Sequence, residues 1–311
     1  MKKVLLDFDI GTEIDDAIAL AYLLANPECE LVGITTSCGE SIKRAEMASV
    51  LCRAAGKKVP IHAGCERPPL IPQMETTAPQ AAIFPHYEHD TGFAPNTAIP
   101  FMQKVIRENP GEVTLLAVAP MTNLGLLFAM DPELPELLDG LYLLCGSPTH
   151  QRHDVVTESL SAMERDDFIR VLASQGILEN NSIVDPHATS IVYRARCRNF
   201  VNIGNNVSSR VVMTPEEAER RFRHPIMQVV MSIAREWFKD EPRVSFHDPL
   251  AAVCIFNDDV CSYKRGYMDC VLDSRLLGGM TIFREDPAGP HQVAWDVDGD
   301  KFFEHLFEVF A

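Results

Sequence analysis

The sequence is short of positive charge. It has 28 lysines and arginines against 44 aspartates and glutamates, a formal net charge of −16. Such a surface repels a phosphate backbone, so no nucleic acid polymer is expected as a partner; a neutral small molecule or a divalent cation remains open. The sequence also has no apolar run long enough to cross a bilayer, so no membrane partner is expected. The opening Met1-Lys2-Lys3 and the apolar residues after it resemble the start of a signal peptide, but Asp7 and Asp9 interrupt the run too early. The nine cysteines contain no Cys-x-x-Cys pair. An odd count without metal spacing points to reduced thiols and a cytoplasmic location. No repeat, low-complexity tract or linker divides the chain, and one domain over residues 1–311 is expected.

What is present is an alternation of short apolar runs with helical patterns. Strand-like runs lie at residues 4–8, 31–35, 59–62, 113–118 and 141–145, with later ones at 267–272 and 291–295. Helical patterns lie at 15–24, 42–55, 97–108, 122–130 and 166–174, and again at 215–223, 226–238 and 301–310. This predicts an open α/β fold: a mainly parallel central sheet flanked by helices. Two stretches break the rhythm and read as loops, 65–96 and 147–156. Loops of the first length inside a compact unit are usually functional or mobile.

The sharpest feature is Asp7-Phe8-Asp9-Ile10-Gly11-Thr12-Glu13-Ile14-Asp15-Asp16, five carboxylates within ten residues at the end of the first strand. Open α/β sheets place their ligands at that edge. Asp7 and Asp9 fall on one side of the strand because side chains alternate. Gly11 permits a tight turn. Asp15 and Asp16 suit the start of the next helix, but helix capping accounts for one or two acids, not five. Crowded anions are unfavourable unless neutralised, and an all-oxygen set favours calcium or magnesium.

This stretch resembles the signature of the inosine–uridine-preferring nucleoside hydrolases, with its Asp-x-Asp and Asp-Asp pair. Here Ile10 stands where that family has proline, and the loop carries two extra residues. Asp15 and Asp16 align with the family pair, with Glu13 as a competitor. Val113–Asn123, which ends Val118-Ala119-Pro120-Met121-Thr122-Asn123, resembles the second motif, and His247-Asp248-Pro249 the third. Taken alone, Asp248 and Pro249 read as a helix cap and first helical residue.

The resemblance implies calcium-dependent hydrolysis of a nucleoside N-glycosidic bond, in a homodimer or homotetramer. It implies Asp9, Asp16, Asp248 and the Val118 carbonyl as calcium ligands. Asp9 would also be general base, His247 would serve the leaving base, Asp15 would bind the ribose, and Asp7 would support the cluster from behind. For the sugar site, Glu40 stands where the family has an asparagine after the second strand. Glu158 fits the glutamate of a substrate segment whose two asparagines fall at Leu160 and near Arg152. Glu40 is left to bind a hydroxyl and Arg152 to favour an anionic or modified substrate. The resemblance therefore suggests a non-standard substrate. His86 or His89 is the counterpart of a family histidine beside the base, and His150 and His153 lie in the second loop. Two rivals remain: a binding-only relative that keeps the metal, and a haloacid-dehalogenase-like phosphatase with Asp7 as nucleophile.

Overall fold

The structure, a computed structural model, describes residues 1–148, 178–239, 241–274 and 276–311. In chain order the first half runs β1 (Lys2–Phe8), α1 (Asp15–Ala25), β2 (Cys29–Thr36), α2 (Ser41–Ala54), β3 (Ile61–Ala63), α3 (Ala98–Glu108), β4 (Val113–Ala117), α4 (Thr122–Met130) and β5 (Gly140–Leu144). The second half runs α5 (Asn180–Val184), α6 (Pro186–Tyr193), β6 (Phe200–Ile203), α7 (Asn205–Ser208), β7 (Val212–Met213), α8 (Pro215–Arg221), α9 (Pro225–Trp237), β8 (Val244–Ser245), α10 (His247–Val253), β9 (Cys261–Cys270), β10 (Thr281–Glu285), β11 (His291–Val297) and α11 (Gly299–Glu308).

Nine strands form one sheet in the order β10-β9-β11-β6-β5-β4-β1-β2-β3. From β11 to β3 neighbouring strands are parallel; β9 runs antiparallel to both β11 and β10. The mainly parallel sheet predicted from the alternation is therefore present, with an antiparallel pair added at one edge.

Apolar residues pack on both faces, which explains why the central strands are continuous apolar runs rather than alternating ones. Val4, Leu6 and Phe8 of β1 join a core with α1, α2, α9, α10 and α11. Leu5, between them, joins a second core with α3, α4 and α6. All nine cysteines are free, and Cys145 is fully buried as a small apolar residue. No helix among the described residues is long and apolar enough to cross a membrane.

The sequence reading misses several short elements. β6 has four residues, one of them the buried Asn202, whose amide donates to the Cys145 carbonyl at 2.9 Å. An asparagine inside so short a run hides it from an apolar search. β10 is also absent from that reading, and β9 starts six residues before the expected run. β9 alternates buried Gly266, Met268 and Cys270 with exposed neighbours, as an antiparallel strand does. The helix expected at 166–174 lies outside the described residues.

Candidate active site

The parallel strands end on a common edge, and the acidic stretch of the first strand opens there. Asp7 is the penultimate residue of β1. It is wholly buried, accepting from the Thr35 hydroxyl at 2.6 Å and the Asn123 amide at 2.8 Å. Its second oxygen has no hydrogen-bond partner. Burial raises its pKa to about 7, against the opposing pull of those two bonds. Asp7 does not line the cavity at this edge, which removes it as a nucleophile and with it the phosphatase reading.

Asp9 does line the cavity, and so do Glu13, Asp15, Asp16, Val118, His247 and Asp248. Asp15 and Asp16 occupy the first turn of α1, where the helix dipole favours negative charge. Asp248 arrives from the far end of the sequence on α10. That helix begins at His247, one residue before the expected cap, so Asp248 sits in its first turn and its carboxylate does not cap the helix. Its backbone N–H donates to Asp15 Oδ2 at 3.2 Å, and the N–H of Asp9 donates to Asp16 Oδ1 at 3.1 Å.

Oxygen atoms of Asp15, Asp16 and Asp248 all lie within 4.8 Å of one another, and all three residues are buried. Asp9 forms a second group with Cys38 and Glu75. Burial pushes the Asp9 carboxyl up to about 8, with Arg44 opposing and Glu75, Asp15 and Asp7 adding to the rise. Asp16 and Asp248 are raised well above the carboxylate range, first by burial and then by the neighbouring acids. Asp15 is raised by burial against His247 and backbone donors. Glu13 is exposed while Asp15 is buried, so Asp15 is the member of that competing pair that joins the acid cluster.

The donor set fits a hard dication. It consists of the buried carboxylates of Asp15, Asp16 and Asp248 close together, with Asp9 and Val118 lining the same cavity. The Cys38 thiol is driven up by burial and by Asp9, so it stays protonated and is a poor ligand. The cavity holds about 110 Å³, room for an ion with a few waters or part of a sugar, and small beside the few hundred Å³ of a typical ligand site.

His247 is partly buried, and burial lowers its pKa while Asp15 raises it. Its Nδ1 lies 2.7 Å from the Ser208 hydroxyl, which leaves Nε2 as the ring nitrogen available to a ligand.

Residues 4–304 match the sequence profile of the family described as inosine-uridine preferring nucleoside hydrolase. The chain belongs to that family. It is therefore an N-glycosyl hydrolase. The hydrolase is similar to uridine nucleosidase 1 of Arabidopsis thaliana, 24% identical over 98% of this chain and 92% of the relative. It is also similar to the inosine-uridine preferring nucleoside hydrolase of Crithidia fasciculata, at 27% identity over 97% of this chain and 95% of the relative. A solved plant nucleoside hydrolase shares the fold with a TM-score of 0.79, at 21% identity, covering 99% of this chain and 98% of the other.

The sugar-site residues expected from sequence need correction. Glu40 does not line the cavity. Its carboxylate accepts from Lys43 and, at 2.9 Å, from the backbone N–H of Ala78, so it is spent on holding the overlying loop. His86 and His89 do not line the cavity either. His86 is exposed at the end of a short 3-10 helix (Pro79–His86), and His89 stacks on Phe84 with ring centroids 4.3 Å apart. Arg152, Glu158, His150 and His153 lie outside the described residues.

Asparagines are not missing from this cavity: Asn180, Asn181 and Asn205 line it, together with Glu179. The stretch Glu179-Asn180-Asn181 thus supplies the glutamate and asparagines that the sequence reading placed around Glu158. A glutamate followed at once by two asparagines was the available signal. Glu179 caps α5, accepting from the N–H groups of Asn181 and Ser182. The Asn181 amide donates to the carbonyls of Val118 at 2.7 Å and Leu144 at 3.0 Å. Asp185 caps α6 and accepts from the Thr122 hydroxyl at 2.8 Å, so the second motif is tied to this segment.

Proposed function

We propose that the protein hydrolyses the N-glycosidic bond of a nucleoside with calcium held by Asp9, Asp16, Asp248 and the Val118 carbonyl. The observation that carries this reading is the meeting of Asp15 and Asp16 with Asp248, acids from opposite ends of the chain, in one buried cluster. Calcium, when bound, would supply Lewis-acid polarisation and gather the sugar diol and a water.

The chain's own groups do the rest. Asp9, which lines the cavity, takes a proton from the attacking water as general base. Asp15 accepts from ribose hydroxyls, and the asparagines of α5 and α7 hold the remaining sugar oxygens. Sugar cleavage of this kind passes through an oxocarbenium-like state, which the ring of carboxylates favours electrostatically. His247 offers Nε2 to the departing base, with Ser208 fixing the other ring nitrogen.

The relatives are named for uridine and inosine, so those two nucleosides head the test panel. The retained asparagines favour an ordinary nucleoside over the non-standard substrate suggested by the sequence. The experiment is base release by chromatography from a nucleoside panel, using chelator-treated protein with and without added calcium. Release restored by calcium supports the reading. Full activity in excess chelator, or no release from any member of the panel, overturns it.

A further inference from the structure

Arg44 heads the fully buried side chains by size, and it is 0% exposed. It lies in the first turn of α2, directly after the turn that leaves β2. Each hydrogen bond of its guanidinium goes to a neutral acceptor. Nε is shared between the carbonyls of Cys38 at 2.6 Å and Gly39 at 3.1 Å. Nη1 donates to the carbonyls of Asp9 and, at 3.2 Å, Ile10. Nη2 donates to the Thr12 hydroxyl at 3.0 Å and the Thr77 carbonyl at 3.3 Å.

One side chain thus joins three segments: the loop after β1, the turn after β2, and the stretch that covers both. Each is conformationally demanding. Cys38, Gly39 and Glu40 are consecutive left-handed residues, with φ of +64°, +39° and +37°. Two of them carry a Cβ, and such strain persists only where the surroundings over-determine the backbone. Gly11 has φ +124°, and a Cβ there would meet Ala78 at 2.9 Å. Burying a cation among neutral acceptors is costly, so this charge needs a purpose. One of its bonds goes to the backbone of Asp9 itself, a residue that lines the cavity.

We propose that Arg44 is a positioning residue for this site: it binds together the segments that carry and cover Asp9. The cluster is then assembled before a cation arrives. The proposal rests on the reading of the cavity as a calcium site. It differs from ordinary structural support because it predicts a preformed site.

Two measurements test it. In the first, calcium binding to chelator-treated parent, Arg44→Lys and Arg44→Gln is followed by calorimetry, alongside kcat and KM. Both variants should lose calcium affinity by about 10–100-fold, with kcat falling more than KM rises. Lysine keeps the charge but cannot span three segments, so Arg44→Lys separates geometry from charge. Parental affinity and kcat in a folded Arg44→Lys variant overturn the proposal. In the second, hydrogen exchange of the parent is measured with and without calcium. The amides of Asp9, Cys38 and Gly39, which donate to Asp16 Oδ1 and to the carbonyls of Cys65 and Glu66, should be equally protected in both states. Protection that arises only with calcium overturns the proposal, and it does so even if the variants fail to fold. Should the parent bind no calcium, the functional reading fails, while the exchange measurement without calcium still reports on the brace.

Discussion

The two edges of the sheet hold opposite charges in opposite settings. At the carboxyl edge, Asp9, Asp15, Asp16 and Asp248 are buried around a cavity of about 110 Å³. At the amino edge, Arg194, Arg196, Arg198 and Arg284 line a groove of about 850 Å³. The arginines stand in or beside the connections that lead into β6 and β11 and are exposed, Arg194 at 72% and Arg284 at 65% of their side chains. Their nearest acids are also solvated: Arg194 is 4.0 Å from Asp269, and Arg284 is 3.1 Å from Asp286. Exposed pairs of this kind are worth little. The smaller cavity is the one in which ionisable groups have been taken out of water, so that its carboxyls hold their protons well above the usual carboxylate range. The burial of crowded acids, rather than volume, marks the chemistry.

The comparison breaks most easily at Asp9. The Asp9→Ala variant should lower kcat by about 10²–10⁴-fold, the range of a lost general base. A loss under about 3-fold in steady-state assays would remove Asp9 from the reaction. His247→Ala should cost about 10²-fold with inosine or uridine. It should cost much less with a nitrophenyl riboside, whose leaving group needs no proton. Equal losses on both substrates would assign His247 to binding instead.

Proton linkage sharpens the contrast further. Burial holds Asp7 at about 7 and Asp9 at about 8 in the fold, whereas both ionise near ~4 in the unfolded chain. The metal-free fold retains protons that the unfolded chain has lost. Its stability should therefore be greatest on the acid side and fall as pH rises through 7 to 8. Calcium competes with those protons, so its affinity should rise over the same window. At 100 times its dissociation constant it should return about 2.7 kcal/mol. Thermal unfolding across this pH range, with chelator and with calcium, checks both trends. Curves that coincide at every pH would contradict them. The smallest effect belongs to the other edge. Replacing Arg194, Arg196 and Arg198 together by alanine should leave kcat/KM within about 2-fold, as exposed charges do. A larger change would show that the two edges communicate.

Glu40 and Asn181 show where sequence reading succeeds and fails. Glu40 follows Cys38-Gly39 after the second strand, where the resemblance places a sugar-binding asparagine. The turn is left-handed at all three residues, and that redirects the carboxylate onto Ala78. No local pattern announces such a turn in a non-glycine residue. Asn181 lies more than thirty residues beyond the fifth strand, and no local pattern ties it to that strand's edge. Its amide meets Val118 and Leu144 only after α5 has packed over β4 and β5.

By itself the sequence determined the sheet, the helices on its two faces and the crowding of acids after β1. These follow from side-chain periods and from spacings of a few residues. Only the tertiary structure decided that Asp248 meets Asp15 and Asp16, that Asn180, Asn181 and Asn205 line their cavity, and that Arg44 braces the turns beneath. Those contacts join segments far apart in the chain. Their geometry depends on how loops close over one another, a property that no single stretch of sequence contains.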